Sequence, residues 1–444
     1  MPFIPHTDEQ VAEMLAAIGV ASIDELFADI PPELRCEGLD LPPGLSEQQT
    51  LAHMAHLAGQ NATVLTLFVG GGFYDHYTPA AVEAITSRSE FYSAYTPYQP
   101  ECSQGTLQAI YEYQSAMCRL TDMEVANASM YDGGTALYEA VMMALRVTKR
   151  SRVIVDEGVS PIYRTMLRTC TTNMGADLAE TPMAGGLADR GRISAELNDD
   201  TAAVVAANPN FFGCLDDFTD LAEAAHARGA LLIVSAYPIA LGLVKTPGAM
   251  GADIVTGEGQ SLGLPLSFGG PYLGFMTARA EHVRKMPGRI CGRTVDANGR
   301  EGFVLTLQAR EQHIRREKAT SNICTNQSLC ALTSLVYLSL LGKGGLVELA
   351  QLCADKAHYA HERLTAIRGV SRRFGGRWFF NEFVLELPTP ARVVINRLLE
   401  KRIATGFPLA RYYEGMDNCL LLAVTEKRTT EDIDRLADAL EASL

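Results

Sequence analysis

The sequence predicts an α/β fold built on a mainly parallel sheet, with an N-terminal helical segment and a small C-terminal α+β domain. Three observations predict it. Short apolar strands at 152–155, 203–207, 231–235 and 254–255 alternate with helical patterns near 160–169 and 217–228. Such alternation implies right-handed crossovers and parallel pairing. Before residue 60 there are only capped helical patterns, and after 326 two long helices lead into a second, shorter strand–helix alternation. The expected division is 1–90 for the helical segment, 91–325 for the large α/β domain, and 326–444 for the connecting helices and the small domain.

Bulk properties narrow the function. The chain has 444 residues, long enough for a large core. Its net charge of −14 argues against a nucleic-acid or anionic-membrane surface, both of which need a basic face. Ten cysteines are scattered with no C-x-x-C and no Cys/His cluster at metal spacing, so reduced thiols in a cytoplasmic compartment are expected. The start, MPFIPHTDEQ, lacks the basic and apolar regions of a secretion signal. No apolar run reads as long enough to span a bilayer.

Thr7 and Gln10 fit a capping box ahead of Val11, Met14, Leu15 and Ile18, with Gly19 closing the helix. Ser22 and Glu25 repeat the pattern up to Pro31-Pro32, and Ser46 and Gln49 start a third helix. His53 and His56 lie on that third helix, three apart; with no third ligand they read as helix surface rather than a metal pair. Three consecutive glycines, Gly70 to Gly72, imply a sharp turn or close backbone approach. Thr78-Pro79 then opens a short helix.

Residues 91–106 interleave Tyr92, Tyr95 and Tyr98 with Pro97, Pro100 and the polar Gln99, Glu101, Ser103 and Gln104. Two prolines three apart forbid helix and central strand. The stretch reads either as a rigid loop over a core edge or as the wall of a site or interface, where tyrosine supplies stiff area and a hydroxyl. Ser103 or Thr106 is expected to cap the next helix. A strand at 125–129 then runs into Asp132-Gly133-Gly134-Thr135 and a helix. Free amides and the helix dipole at such a junction make an anion site. Asn208-Pro209-Asn210 and Ser235-Ala236-Tyr237-Pro238 follow two strands, at the carboxyl ends where open α/β sheets bind ligands.

The stretch 251–275, GADIVTGEGQSLGLPLSFGGPYLGF, is a buried strand, a Gly/Pro-rich turn and a second strand. Its layout looks like the segment that carries the Schiff-base lysine in pyridoxal-phosphate enzymes of the aminotransferase type. It contains no lysine: Gln260 stands where the amine is expected, and Lys245 and Lys285 are the nearest. In that enzyme type Gly133, Gly134 and Thr135 would meet the cofactor phosphate and Asn208 its ring oxygen. An Asp that pairs with the ring nitrogen is replaced here by Ser235 and Tyr237. Beyond it, 277–322 is rich in Arg, Glu and Gly and reads as a solvated face, with Thr320-Ser321-Asn322 as a polar turn.

Four long motifs complete the pattern: AYTPYQPECSQGTLQAIYEYQ from Ala94, NPNFFGCLDD from Asn208, the 251–275 stretch, and REQHIRREKATSNICTNQ from Arg310. Through them nearly the whole chain resembles the P-protein family of the glycine cleavage system, and within it the N-terminal (alpha) subunit of the two-subunit form. The resemblance implies an aminotransferase-like large domain, pyridoxal-phosphate fold type I, with a seven-stranded-type sheet. It implies that pyridoxal phosphate is bound covalently by a separate beta subunit and not by this chain. The family's lysine falls on Gln260, its glycine run on 267–270, and an Asp of many members on Tyr237.

A chain without the amine cannot hold the cofactor covalently. The resemblance therefore implies a noncatalytic subunit of glycine decarboxylase. Glycine, the beta subunit in an alpha2/beta2 assembly, and the lipoylated H protein are its implied partners, with no metal. Thr320, Ser321 and Asn322 are candidates to reach the partner's cofactor phosphate, and Tyr95, Tyr98, Gln99, Glu101 and Ser103 to line the entrance or interface. Gly133, Gly134, Thr135, Asn208 and Tyr237 would form a vestigial site. The competing reading is a free-standing pyridoxal-phosphate enzyme using a non-standard lysine such as Lys245, which precedes the 254–255 strand instead of following it.

Overall fold

The computed structural model describes residues 5–36, 38–267 and 269–444. The chain divides into two compact units, one ending at Thr63 and one running from Val64 to Leu444.

In the first unit, α1 (Asp8–Ile18) begins at the expected capping box, with Thr7 Oγ1 accepting from the Gln10 amide and Gln10 Oε1 from the Thr7 amide. Gly19 closes it at φ +89°, in the left-handed region where glycine is unstrained. Ser46 and Gln49 cap α2 (Glu47–Gly59) in the same way. Ser22 does not cap a third α-helix. Glu25 accepts from the Ala21 amide and the Ser22 hydroxyl, and only a 3₁₀ turn, Ile23–Phe27, forms before the prolines. No described residue of this unit is buried. Val11, Leu15 and Val20 are half-buried, and many other apolar side chains stay open to solvent, Ile18 at 62% and Leu51 at 64% exposure.

The second unit opens with β1 (Thr66–Phe68), followed by the short helix Ala80–Thr86 and α3 (Gln104–Thr121). The main sheet takes β2 (Val125–Ala126), β3 (Arg152–Asp156), β4 (Asp177–Thr181), β5 (Thr201–Asn208), β6 (Leu231–Ala236), β7 (Ile254–Glu258) and β8 (Gly274–Ala278). Its seven strands run in the order β2-β8-β7-β6-β5-β3-β4. All pairs are parallel except those of β8 with β7 and β2. The expected strand 125–129 is thus only two residues long, because Ala128 N bonds across to Arg289 O instead of extending the ladder. β5 is buried at every position, as a central strand covered on both faces must be. One face packs α3, α6 (Thr219–Ala227) and the first part of α7 (Ser328–Thr365); the other packs α4 (Gly133–Thr148) and α5 (Pro161–Thr171).

Ser103 precedes α3 without a capping bond from its side chain. Gln104 supplies the fixing contacts, donating to Pro100 O and Phe303 O and accepting from the Phe303 amide. Phe303 belongs to a hairpin, β9 (Ile290–Val295) and β10 (Glu301–Thr306), hidden inside the charge-rich stretch. That stretch is therefore not simply a solvated face: Arg289 and Glu311 are buried, and Arg310 donates to the Met286 and Gly288 carbonyls.

α7 breaks at Gly342 (φ 60°, ψ −175°), the expected boundary between two helices. By length and composition this helical span is apolar enough to cross a bilayer, contrary to the reading from sequence. In the fold its Cys330, Ala331 and Tyr337 lie in the core against the sheet. The C-terminal part holds β11 (Glu382–Glu386), α8 (Ala391–Glu400), β12 (Ile403–Thr405), β13 (Cys419–Ala423) and α9 (Thr430–Glu441). Val394, Leu398, Leu420, Leu422 and Leu436 form its core. β1 pairs in parallel with β12, so residues 66–68 join this end of the unit.

Candidate functional site

The carboxyl ends of β5, β6 and β7 surround a cavity of about 70 Å³. Its lining includes Ser235 near the end of β6 and Tyr237 just after it, Asn210 and Phe211 after β5, Glu258 ending β7, and Tyr163 of α5. Gly71, Tyr74 and Glu382 close it from the other side. The triple glycine makes this closure possible. A Cβ on Gly70 would lie 2.1 Å from Glu382 Oε1 and 2.6 Å from Ala423 Cβ, so only glycine brings the 69–77 segment against β11 and β13.

Gln260 is 1% exposed and its amide is fully committed. Nε2 donates to Tyr74 O at 3.0 Å and Leu264 O at 2.8 Å, and Oε1 accepts from Tyr74 N at 2.9 Å. A glutamine has two amide donors and one carbonyl, and all are used here. The residue at the expected lysine position is a clasp between the 69–77 segment and the β7–β8 connection.

The expected anion site is also taken, by the chain's own carboxyls. Asp132 caps α4 by accepting from the Thr135 amide at 2.8 Å and the Thr135 hydroxyl at 3.0 Å. Glu258 Oε2 accepts from the Gly133 amide at 2.9 Å, while its Oε1 accepts from Gln260 N and Leu273 N, both at 3.0 Å. A Cβ on Gly133 would lie 2.5 Å from Tyr163 Oη, and one on Gly134 2.9 Å from Met166 Sδ, so both glycines serve packing. Burial pushes the Glu258 carboxyl up to about 7 against the pull of its three amides.

Asn208 does not face the cavity either. Its side chain donates to Asp216 O at 3.0 Å and accepts from Asp216 N at 3.2 Å, fastening the 208–216 loop. Tyr237 does line the cavity, but its hydroxyl is bonded to His76 Nε2, and His76 Nδ1 lies 2.6 Å from Glu426 Oε2. Burial raises the Tyr237 hydroxyl well above its ordinary range. Cys353 donates to the same Glu426 oxygen at 3.5 Å, so His76, Cys353 and Glu426 meet from three distant parts of the chain. Burial drives the Cys353 thiol upward, which keeps it protonated and hydrogen-bonded to the carboxylate. No spacing in the sequence could show this cluster. His53 and His56 are exposed, and His56 Nε2 lies 3.0 Å from Gln60 Nε2.

These residues do not fit pyridoxal phosphate. There is no amine for a Schiff base, the phosphate amides are capped by carboxyls, and the space is far below the 300 Å³ or so of an ordinary small-molecule site. Lys245 gives no substitute, because its ammonium is held by Asp217 at 3.0 Å and Thr219 at 2.6 Å and it is not part of the lining. Of the stretch carrying the glycine run, residue 268 lies outside the described residues.

The tyrosine-rich stretch meets residues 325 and 326, just past the polar turn. Tyr95 Oη lies 3.3 Å from Thr325 Oγ1. Arg289 donates to Tyr98 Oη at 3.1 Å and to Asn326 Oδ1 at 3.2 Å, with its guanidinium 5.5 Å from the Tyr98 ring centre. In the polar turn, Thr320 N donates to Arg310 O, Ser321 Oγ accepts from Ile323 N at 3.3 Å, and Asn322 is exposed. Gln99 and Glu101 are exposed and Ser103 is half-buried. Neither stretch lines the cavity. Glu258, Glu382 and Tyr74 were missed from sequence. Glu258 carried a signal, a lone acid between two glycines at the end of a buried strand; Tyr74 and Glu382 carried none.

Known proteins agree with this architecture. The chain is 60% identical to the probable glycine dehydrogenase (decarboxylating) subunit 1 of Geotalea uraniireducens (strain Rf4), over the full length of both. A crystal structure of glycine decarboxylase (P-protein) of the glycine cleavage system in inhibitor-bound form superposes with a TM-score of 0.93 at 46% identity, over all of both chains. Glutamate decarboxylase of Lactobacillus brevis, 12% identical, matches 95% of this chain and 96% of its own with a TM-score of 0.70, a likeness of fold alone. The shared architecture is the aminotransferase-like fold type I of pyridoxal-phosphate enzymes. The family profile described as glycine cleavage system P-protein matches residues 1–440, and the chain belongs to that family.

Proposed function

We propose that this chain is the noncatalytic subunit of glycine decarboxylase, an oxidoreductase complex. A second, beta subunit would hold pyridoxal phosphate covalently. Together they would decarboxylate glycine, release carbon dioxide and pass the aminomethyl group to the lipoyl arm of the H protein. The observation that carries the reading is Gln260, buried and fully hydrogen-bonded at the lysine position. Glu258 on the Gly133 amide supports it. Bound by the partner, the cofactor would supply the electron sink for loss of carbon dioxide. This chain's share is to complete the fold and wall the partner's site.

The relatives' designation as subunit 1 supports a second subunit. So does the unit ending at Thr63, whose apolar residues are exposed as an interface awaiting a partner would be. We assign an alpha/beta pair, doubled to alpha2/beta2, burying more than about 2,000 Å² per pair. Thr320, Ser321 and Asn322 would reach toward the partner's cofactor, with Tyr95, Tyr98, Gln99, Glu101 and Ser103 at the shared entrance. The Arg289 bridge from Tyr98 to Asn326, four residues past Asn322, supports their lying near one another. Ten free thiols agree with a reducing, cytoplasmic setting.

Borohydride reduction after incubation with pyridoxal phosphate, followed by peptide mapping, tests the assignment. The isolated chain should carry no pyridoxyl-lysine, and the complex should carry it on the partner only. A specific adduct on a lysine of this chain would overturn it.

A further inference from the structure

The cavity is not a neutral remnant. Its lining includes four aromatic side chains, Tyr74, Tyr163, Phe211 and Tyr237, and two carboxyls, Glu258 and Glu382, but no Lys, Arg or His. The carboxyls are 7% and 3% exposed. Their hydrogen bonds come from neutral donors alone: the Gly133, Gln260 and Leu273 amides for Glu258, and the Gly71 amide (2.7 Å) and Tyr74 hydroxyl (2.8 Å) for Glu382. Among the described residues no cation neighbours either one.

A buried carboxylate without a cation is costly, and two bordering one space are more so. Burial accordingly pushes both up to about 7. An anion finds no positive partner here. A hard metal ion would want six or more oxygens or waters, whereas much of this wall is ring carbon. An organic ammonium fits both kinds of wall, since its charge pairs with carboxylate and its alkyl hydrogens pack on aromatic faces. Gly71 and Gly72, both at positive φ, contribute wall without side chains. The volume of about 70 Å³ admits a head of one or two carbons.

We propose that this cavity binds a small organic ammonium cation, held by Glu258 and Glu382 and caged by Tyr74, Tyr163, Phe211 and Tyr237. Beside the amides that related folds would turn to a phosphate, the cavity thus offers carboxyls suited to a cation. The assignment needs no assumption about the partner subunit.

Methylammonium chloride is the probe, titrated into the full chain near pH 8 at constant ionic strength, with saturation-transfer NMR on its methyl signal and calorimetry as readouts. Potassium chloride and the neutral isostere methanol are the controls. Wild type should bind methylammonium saturably, and neither control should bind or compete. Glu382→Gln retains an acceptor and should weaken binding about tenfold. Phe211→Leu conserves bulk but removes a ring and should weaken it about threefold, which keeps the test valid if the first variant misfolds. Saturation transfer no greater than for methanol, displacement by equimolar potassium, or unchanged affinity in the folded variants would each overturn the proposal.

Discussion

Replacing Gln260 with alanine removes one buried amide and leaves two backbone groups without partners, Tyr74 N and Leu264 O, while Tyr74 O keeps the His76 amide at 3.1 Å. Tyr74 is 6% and Leu264 9% exposed, so solvent does not readily replace the lost bonds. Each stranded group costs roughly 1–3 kcal/mol. The neighbouring cavity lets some water in, which favours the low end and a sum of about 2 kcal/mol. The loss is local, because the amide joins the 69–77 segment to the β7–β8 connection. It should appear as easier opening of that segment, by a factor of about 30 at 1.4 kcal/mol per decade. Hydrogen exchange on a peptide spanning 69–77 reads it directly, since the Tyr74 amide is the stranded donor. Exchange within about threefold of wild type would refute the clasp. Gln260→Lys should also loosen the segment, because ammonium can serve the two carbonyls but offers nothing to Tyr74 N.

Glu382 titrates at about 7 in the fold against 4.5 when free, so between those values the folded state binds the extra proton and stability declines as pH rises. Glu382→Gln should remove that decline, gaining on wild type by roughly 3 kcal/mol between pH 4.5 and 8 in urea midpoints; parallel curves would contradict the burial argument. Gly213→Ala would place a Cβ 1.8 Å from Glu382 O at φ +79°, and should cut soluble yield and lower the thermal midpoint, whereas a midpoint within about 2 °C would argue that the 208–216 loop yields freely. Ser321→Ala and Asn322→Ala should weaken cofactor retention by the partner about tenfold with the complex intact, as loss of a charge-assisted contact predicts. Tyr98→Ala should raise the apparent Michaelis constant for glycine or the lipoyl carrier, and values within twofold for all three variants would reduce both stretches to scaffold.

Much of the fold was legible in the sequence because periodicity and punctuation are local signals. The Thr7 and Ser46 capping boxes, the buried β5 and the break at Gly342 all formed as their residues dictate. The β9–β10 hairpin was not legible, since its alternation lies within a dense run of charge. At the site, the missing lysine could be read from one position. What replaced it could not, because Tyr74 lies 186 residues from Gln260 and Glu258 125 residues from Gly133. Residue type alone gave the expectation of a free phosphate site. Only the fold shows Glu258 arriving at the amide first.

The Gln260 clasp also has a meaning for descent. A glutamine codon is one base from a lysine codon, so the amine is always a single mutation away. Yet that mutation arrives in a chain whose Tyr74 segment leans on the amide and whose Gly133 amide is already taken by Glu258. Each reversal alone is harmful, and only several made together could be useful. A cofactor-bearing form of this chain would thus lie across a valley that stepwise selection does not cross. On the reading proposed here, a lineage carrying this gene is bound to keep its partner gene with it.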